Sequence, residues 1–303
     1  AYRYRLQRVA IDREPQRWVS PRELRTKKII GAGQYTVVNL NENDAPTPRF
    51  LAEHPEYMAN HPFDGVAIPV PLDREWCREN GLRSDHFAVH EMAMTTLPIP
   101  FSSLEGAVQD LQRVSWGHVT DNFLWYSVKD GSRGGDNDQR YSVDPDSSAD
   151  WKIVSQNAAT LARFCRESRL QGFIMDTEMY TKYDSGELYP FGKGTPDVWR
   201  ERGEDWIRAI QAEFPDIKIL LFFSWGPERE AWPGYQNLTH FMNGILEGIQ
   251  MPARLIHGWE STFWFGGRRN LPSGPYQYPG DRHAYANTRH DIKRQWRNWS
   301  DNP

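Results

Sequence analysis

Six short apolar runs recur along this chain, and segments of helical period lie between several of them. The runs are "KKIIGAG" (27–33), "FDGVAIPV" (63–70), "DNFLWYSV" (121–128), "GFIMDTEM" (172–179), "IKILLFFSW" (217–225) and "ARLIHGWEST" (253–262). Between them, "SSLEGAVQDLQRV" sets Leu104, Ala107, Val108 and Leu111 on one face, and "VSQNAATLARFC" does the same with Val154, Ala158, Leu161, Ala162 and Cys165. "DVWRERGEDWIRAIQAEF" aligns Trp199, Trp206, Ile210 and Phe214 before Pro215 stops it. Strands alternating with helices predict βα units around a parallel sheet. A TIM-type (β/α)8 barrel is the first expectation and a doubly wound open sheet the alternative. "GAGQYT" lacks the third glycine of a dinucleotide fingerprint, and no helical pattern follows it at once.

The expected organisation is an N-terminal extension over 1–26 and a barrel domain over 27–303. Six strand units fall short of eight. Either further strands are hidden, for example in "HFAVHEMAM" (86–94), or the barrel is cut short at the C-terminus. The expectation is truncation, since the sixth unit is followed only by one helical pattern, "YANTRHDIKRQWRNW". Polar stretches at 129–150, 181–196 and 266–284 each follow a strand, as the functional loops of a barrel do.

The fourth run ends on two carboxylates, Asp176 and Glu178. A buried strand gains nothing from them, because unpaired buried carboxylates are costly and close ones repel. Side chains alternate along a strand, so Ile174, Asp176 and Glu178 share one face, and Phe173, Met175 and Thr177 the other. In a barrel both acids then stand at the end where active sites form. The sixth run adds Glu260, between Trp259 and Trp264 and near His257. Two carboxylates facing each other across a barrel mouth are what displacement at an anomeric carbon requires. The chain holds 13 Trp, 13 Tyr and 14 Phe, which suit either a large core or a cleft that stacks on sugar rings.

Glu178 is the expected general acid/base, Asp176 the residue that tunes or orients it, and Glu260 the nucleophile or second base. Tyr180, Trp225, His257, Trp259 and Trp264 are the expected sugar contacts. A non-catalytic carbohydrate-binding barrel is one alternative. Another is a metal-dependent hydrolase or lyase with Asp176, Glu178 and His257 as ligands. His86, His90 and Glu91 lack the H-E-x-x-H order, so no metal and no cofactor are expected. A formal net charge of −4 gives no reason to expect nucleic acid or an anionic membrane as a partner. No run approaches the roughly 20 apolar residues of a membrane span. Two cysteines, Cys77 and Cys165, make no disulfide framework, and Cys165 reads as a core residue. "NLT" at Asn237 and "NWS" at Asn298 match the N-glycosylation tripeptide. Oligomeric state is left open.

"QGFIMDTEMY" is similar to the end of the D-G-x-D-x-D-x-E motif of chitinase-type glycoside hydrolases, which are TIM barrels. Asp176 and Glu178 match its last two acids, while Gln171 and Ile174 stand at the two earlier ones, so the motif is half present. That resemblance implies a general-acid role for Glu178 and an orienting role for Asp176. More of the chain, through "PFDGVAIPV", "DNFLWYSV", "GFIMDTEMY" and "ARLIHGWESTFWF", resembles a group of largely uncharacterised, secreted, glycosidase-like TIM-barrel proteins of environmental bacteria. This likeness implies the barrel, a carbohydrate substrate, an extracellular or periplasmic setting, and a protein that continues past residue 303. The N-terminal "AYRYRLQRVAIDREPQRW" itself contains no signal-peptide h-region.

Overall fold

Each of the six apolar runs forms one strand. The computed structural model describes residues 30–31, 47–59, 63–81, 89, 92–128, 141–177, 190–221 and 234–257. Within them lie β1 (Ile30–Gly31), β2 (Gly65–Ile68), β3 (Phe123–Ser127), β4 (Gly172–Asp176), β5 (Lys218–Leu221) and β6 (Arg254–His257). They pair in parallel and in chain order, β1-β2-β3-β4-β5-β6. A doubly wound sheet reverses its order at a switch point, and the described strands contain no such reversal. All five residues of β4 are buried, which is why its run reads as continuously apolar rather than alternating. In "HFAVHEMAM" the described residues Val89 and Met92–Met94 form turns and bends, not a strand.

The described helices are α1 (Pro48–Glu53), α2 (Pro55–Ala59), α3 (Arg74–Glu79), α4 (Glu105–Arg113), α5 (Ser148–Glu167), α6 (Pro196–Glu213) and α7 (Leu238–Gly248). The two longest carry clear start signals. Ser147 Oγ accepts the Asp150 N–H at 3.2 Å to open α5, and Asp150 faces the helix's positive end. Thr195 Oγ1 accepts the Val198 N–H at 3.4 Å to open α6, where Pro196 fits the first turn at no hydrogen-bonding cost. None of the described helices is long and apolar enough to cross a membrane.

The two faces of the sheet are covered differently. One face packs on the helices: Val66, Ile68, Leu124, Tyr126, Phe173, Met175, Ile219 and Leu221 join the buried faces of α4 to α7 in one large core. Cys165 lies fully buried within it, as its place on the apolar face of α5 predicts. The other face carries a small separate cluster of Ala67, Phe123 and Ile174, flanked by Ile30, Trp125 and Leu220. In a parallel sheet this division follows from alternation alone.

Part of the chain's Trp content serves the helix side. Trp151, Trp199 and Trp206 are each at most 2% exposed. Trp199 meets Phe241 edge to face with centroids 5.8 Å apart, and Trp206 meets Tyr126 likewise at 5.5 Å. The Trp206 indole N–H donates to the Tyr126 hydroxyl at 2.9 Å, so neither polar atom is buried unpaired. Helices α6 and α7 approach to backbone contact. A Cβ on Gly203 would meet the Phe241 carbonyl oxygen at 2.0 Å, and one on Gly244 would meet that of Arg200 at 1.9 Å. Asn237, before α7, donates its side-chain N–H to the carbonyls of Phe191 and Lys193 at 3.0 and 3.2 Å. It is 6% exposed, so this tripeptide match serves a structural bond rather than a surface acceptor. Replacing Gly244 with Ala is expected to force α6 and α7 apart and to cost roughly 1–3 kcal/mol. Urea denaturation of the two proteins measures it as a lower midpoint at unchanged slope.

Candidate functional site

Asp176 closes β4 on the face of the small cluster. It is 4% exposed. In register it stands beside Ser127, the last residue of β3, which is fully buried. Beneath them lies the row Trp125, Ile174, Leu220 and Ile256, and beneath that Phe123, Gly172, Lys218 and Arg254. The face is therefore apolar through its middle and turns polar at the C-terminal strand ends. That is the end at which βα architectures place their chemistry. The Val128 N–H donates to the Asp176 carbonyl at 3.1 Å, which continues the β3–β4 pairing to the acid and fixes its backbone. Gly172 starts the strand with φ of 143°, and a Cβ there would strike the Lys218 carbonyl oxygen at 2.1 Å. Only glycine admits that approach.

Thr177 follows on the opposite parity. It is 1% exposed, and its Oγ1 has no hydrogen-bond partner. Three polar side chains, Ser127, Asp176 and Thr177, are thus buried together where β3 and β4 end.

The bases of the surrounding loops are lashed to the helices. Arg202 of α6 is 7% exposed and donates through Nε to the Pro145 carbonyl at 3.0 Å, which holds the segment entering α5. The Trp199 indole donates to the Lys193 carbonyl at 2.6 Å, and Asn237 ties the segments before α6 and α7 together. Asn157 of α5 accepts the Ile99 N–H at 2.8 Å and donates to the Leu97 carbonyl at 3.0 Å. Side chains on rigid helices thereby fix where three of the loops leave and rejoin the fold.

Of the site residues expected from sequence, Asp176 takes the predicted place on the predicted face. His257 lies in β6, with its backbone in register with Leu221; its side chain is outside the described residues. Glu178, Tyr180, Trp225, Trp259, Glu260 and Trp264 also fall outside them, as do His86, His90 and Glu91. Sequence reading missed Ser127 and Trp125. The signal was available, since Phe123, Trp125 and Ser127 alternate within "DNFLWYSV" as Ile174 and Asp176 do within "GFIMDTEM". Among the described residues, no three His, Cys, Asp or Glu side chains converge as a metal site.

No protein-family model matches the chain, and no curated protein matches it. Solved structures of similar shape include an endocellulase from the archaeon Pyrococcus horikoshii, at 13% identity and a TM-score of 0.37. Others are a hyperthermostable endocellulase, at 11% and 0.36, and a cellotetraose complex of a Pyrococcus horikoshii endocellulase, at 13% and 0.34. Each comparison covers 76% of this chain and 61% of the other, so the chain spans about three fifths of the length of those proteins.

Neither cysteine is placed to act as a nucleophile. Burial pushes the Cys77 thiol up to about 11, with the Asp73 carboxylate adding to the shift, and burial raises Cys165 well above the ordinary thiol range. The reactive thiolate is suppressed in both. Iodoacetamide near neutral pH is expected to leave both thiols unmodified in the native protein and to label both in urea, as mass spectrometry would show. The floor under Asp176 gives a second test. Ile174 is fully buried directly below it, so Ile174→Ala is expected to lower stability by about 2–5 kcal/mol in urea denaturation.

Proposed function

We propose that this chain is a carbohydrate-active enzyme on a (β/α) barrel scaffold, a glycoside hydrolase working through carboxylate acid/base catalysis. The observation that carries the reading is Asp176, a carboxylate 4% exposed at the C-terminal end of the central parallel strand, above an apolar floor. A fold does not need an acid there, and burying one is costly. Strand order supports the barrel: parallel neighbours in unbroken chain order, with helices on one face and a second small core on the other. A barrel interior is filled by side chains in layers in this way.

In this reading Glu178 donates a proton to the leaving oxygen of the scissile bond. It follows Asp176 by two residues, and a neighbouring carboxylate raises proton affinity, which keeps an acid able to donate near neutral pH. Asp176 orients Glu178. Glu260 is the second carboxylate, as nucleophile or as base for water. Carboxyls about 5–5.5 Å apart would give retention and about 6.5–9.5 Å inversion. Tyr180, Trp225, His257, Trp259 and Trp264 are the proposed sugar contacts.

The test screens the protein against oligosaccharides, with product release and binding followed in parallel. Glu178→Gln is expected to cut turnover by at least about 10²–10⁴-fold while sugar binding and melting temperature stay near wild type, because Gln keeps the shape and hydrogen bonding but transfers no proton. Glu260→Gln is expected to be similarly damaging. A Glu178→Gln protein that cleaves as fast as wild type removes Glu178 from the mechanism. Binding without cleavage by the wild type would favour a carbohydrate-binding barrel, and turnover abolished by EDTA would favour a metal-dependent enzyme.

A further inference from the structure

A groove of about 630 Å³ lies along the outer side of α5, between that helix, α3 and the segment 97–101. Ligand pockets have this size. Its walls are built on fixed parts. Asn157 of α5 accepts the Ile99 N–H at 2.8 Å and donates to the carbonyls of Thr95 and Leu97 at 3.3 and 3.0 Å, which ties the segment to the helix. Pro98 and Pro100 stiffen that segment further. Trp76 of α3 and Phe101 pack against the large core and also line the groove. The Arg163 guanidinium lies over the Phe101 ring, 3.8 Å from its centroid. Helices α5 and α6 run back against the direction of the parallel strands they connect. Arg163 and Glu213, towards the ends of those helices, therefore place the groove away from the end of the sheet where Asp176 stands.

The lining selects a neutral ligand with both apolar and hydroxyl surface. Trp76, Phe101, Leu97 and Ile99 supply apolar area. Gln156 and Thr160, one turn apart on α5, bring an amide and a hydroxyl, each able to donate and to accept. The two charged residues of the lining are answered by their own neighbours: Arg163 Nε donates to Glu167 Oε1 at 2.7 Å, and Glu213 lies 3.6 Å from Arg166. An ionic ligand gains little there. We propose that this groove is a carbohydrate-binding site, taking a short stretch of neutral glycan with one ring against Trp76 and hydroxyls on Gln156 and Thr160. A pyranose joins a C–H face, which packs on an indole, to hydroxyls that donate and accept. The site holds a glycan on the flank of the protein and takes no part in bond cleavage. It shares the ligand class of the proposed function and none of its residues.

The experiment reads Trp76 directly. Protein labelled with nitrogen-15 is titrated by NMR with neutral hexasaccharides of glucose, xylose and mannose, and the Trp76 indole signal is identified as the one missing from Trp76→Phe. At least one hexasaccharide is expected to shift this signal at millimolar concentration. Gln156→Ala, at an exposed position of α5, is expected to weaken the affinity read from that shift by about three- to tenfold, the scale of one hydrogen bond. Ala159→Arg puts a long side chain into the groove and is expected to abolish the shift. Should Ala159→Arg fail to fold, Gln156→Ala alone decides. A Trp76 signal unmoved by all three sugars overturns the proposal, as does wild-type affinity in the folded groove variants. Asp176→Asn is expected to leave the titration unchanged, and a response lost in that variant would place the sugar at the acids and overturn the groove. A hexaproline peptide that moves the signal where no sugar does assigns the groove to a peptide instead. Failure of the glycosidase reading appears differently, as a wild type that cleaves no glycan while the Trp76 signal still responds.

Discussion

The parallel register that aligns Phe123, Gly172, Lys218 and Arg254 is the constraint on which the rest depends. In a parallel sheet, aligned residues send their side chains to the same side. Once that row is set, every other strand residue is assigned to the helix side or to the opposite face. A slip of one residue in β4 would turn Asp176 to the helix side, take Phe173 out of its stack with Tyr126 and Trp206, and put Met175 at the mouth. Backbone features hold the register: Gly172 touching the Lys218 carbonyl, and Gly65, where a Cβ would strike the Asp121 carbonyl at 1.8 Å. Asn122 adds a side-chain bond, accepting the Val66 N–H at 3.1 Å just below β3.

The described core then divides unequally between the two sides of the same sheet. The helix side holds most of the buried apolar surface, with the Trp and Phe rings of α5, α6 and α7 locked edge to face. Such interiors are close-packed and transmit small errors in volume as lost stability. Among the described residues, the opposite face carries a smaller apolar cluster, with Ala67, Phe123 and Ile174 as its buried members. A polar end is affordable there because the helix side carries the fold.

Sequence made the strands legible because buried parallel strands are short, apolar and continuous, and each of the six runs contains one. It made α4, α5 and α6 legible because their apolar residues repeat with helical period. Helices α1 to α3 were not read: with five or six residues each, they show barely more than one period. Helix α7 hid for a different reason. Its sequence, "LTHFMNGILEG", carries two glycines, which weaken a helix, and it is buried on most of its circumference, which blurs the apolar stripe. Tertiary contact overrides propensity, since Gly244 is what lets α7 touch α6. At the site, alternation placed Asp176 from sequence alone. Alternation within "DNFLWYSV" places Ser127 on the same face, and the register adds that it stands beside Asp176.

The dry floor beneath Asp176 has a chemical consequence. Ile174 fills the space directly below, and Trp125 and Leu220 flank it, so the strand side of this carboxyl is apolar. A carboxyl set against apolar side chains feels a neighbouring charge or hydrogen bond more strongly than one in bulk water, because less solvent stands between them to screen it. The same weak screening makes each polar neighbour at the strand ends matter. Ser127 is one such group, and Thr177, whose buried Oγ1 has no hydrogen-bond partner, is another. Substituting the floor would therefore change both how firmly the acid is held and how much water reaches it. The apolar packing under the site is in this sense part of its electrostatics.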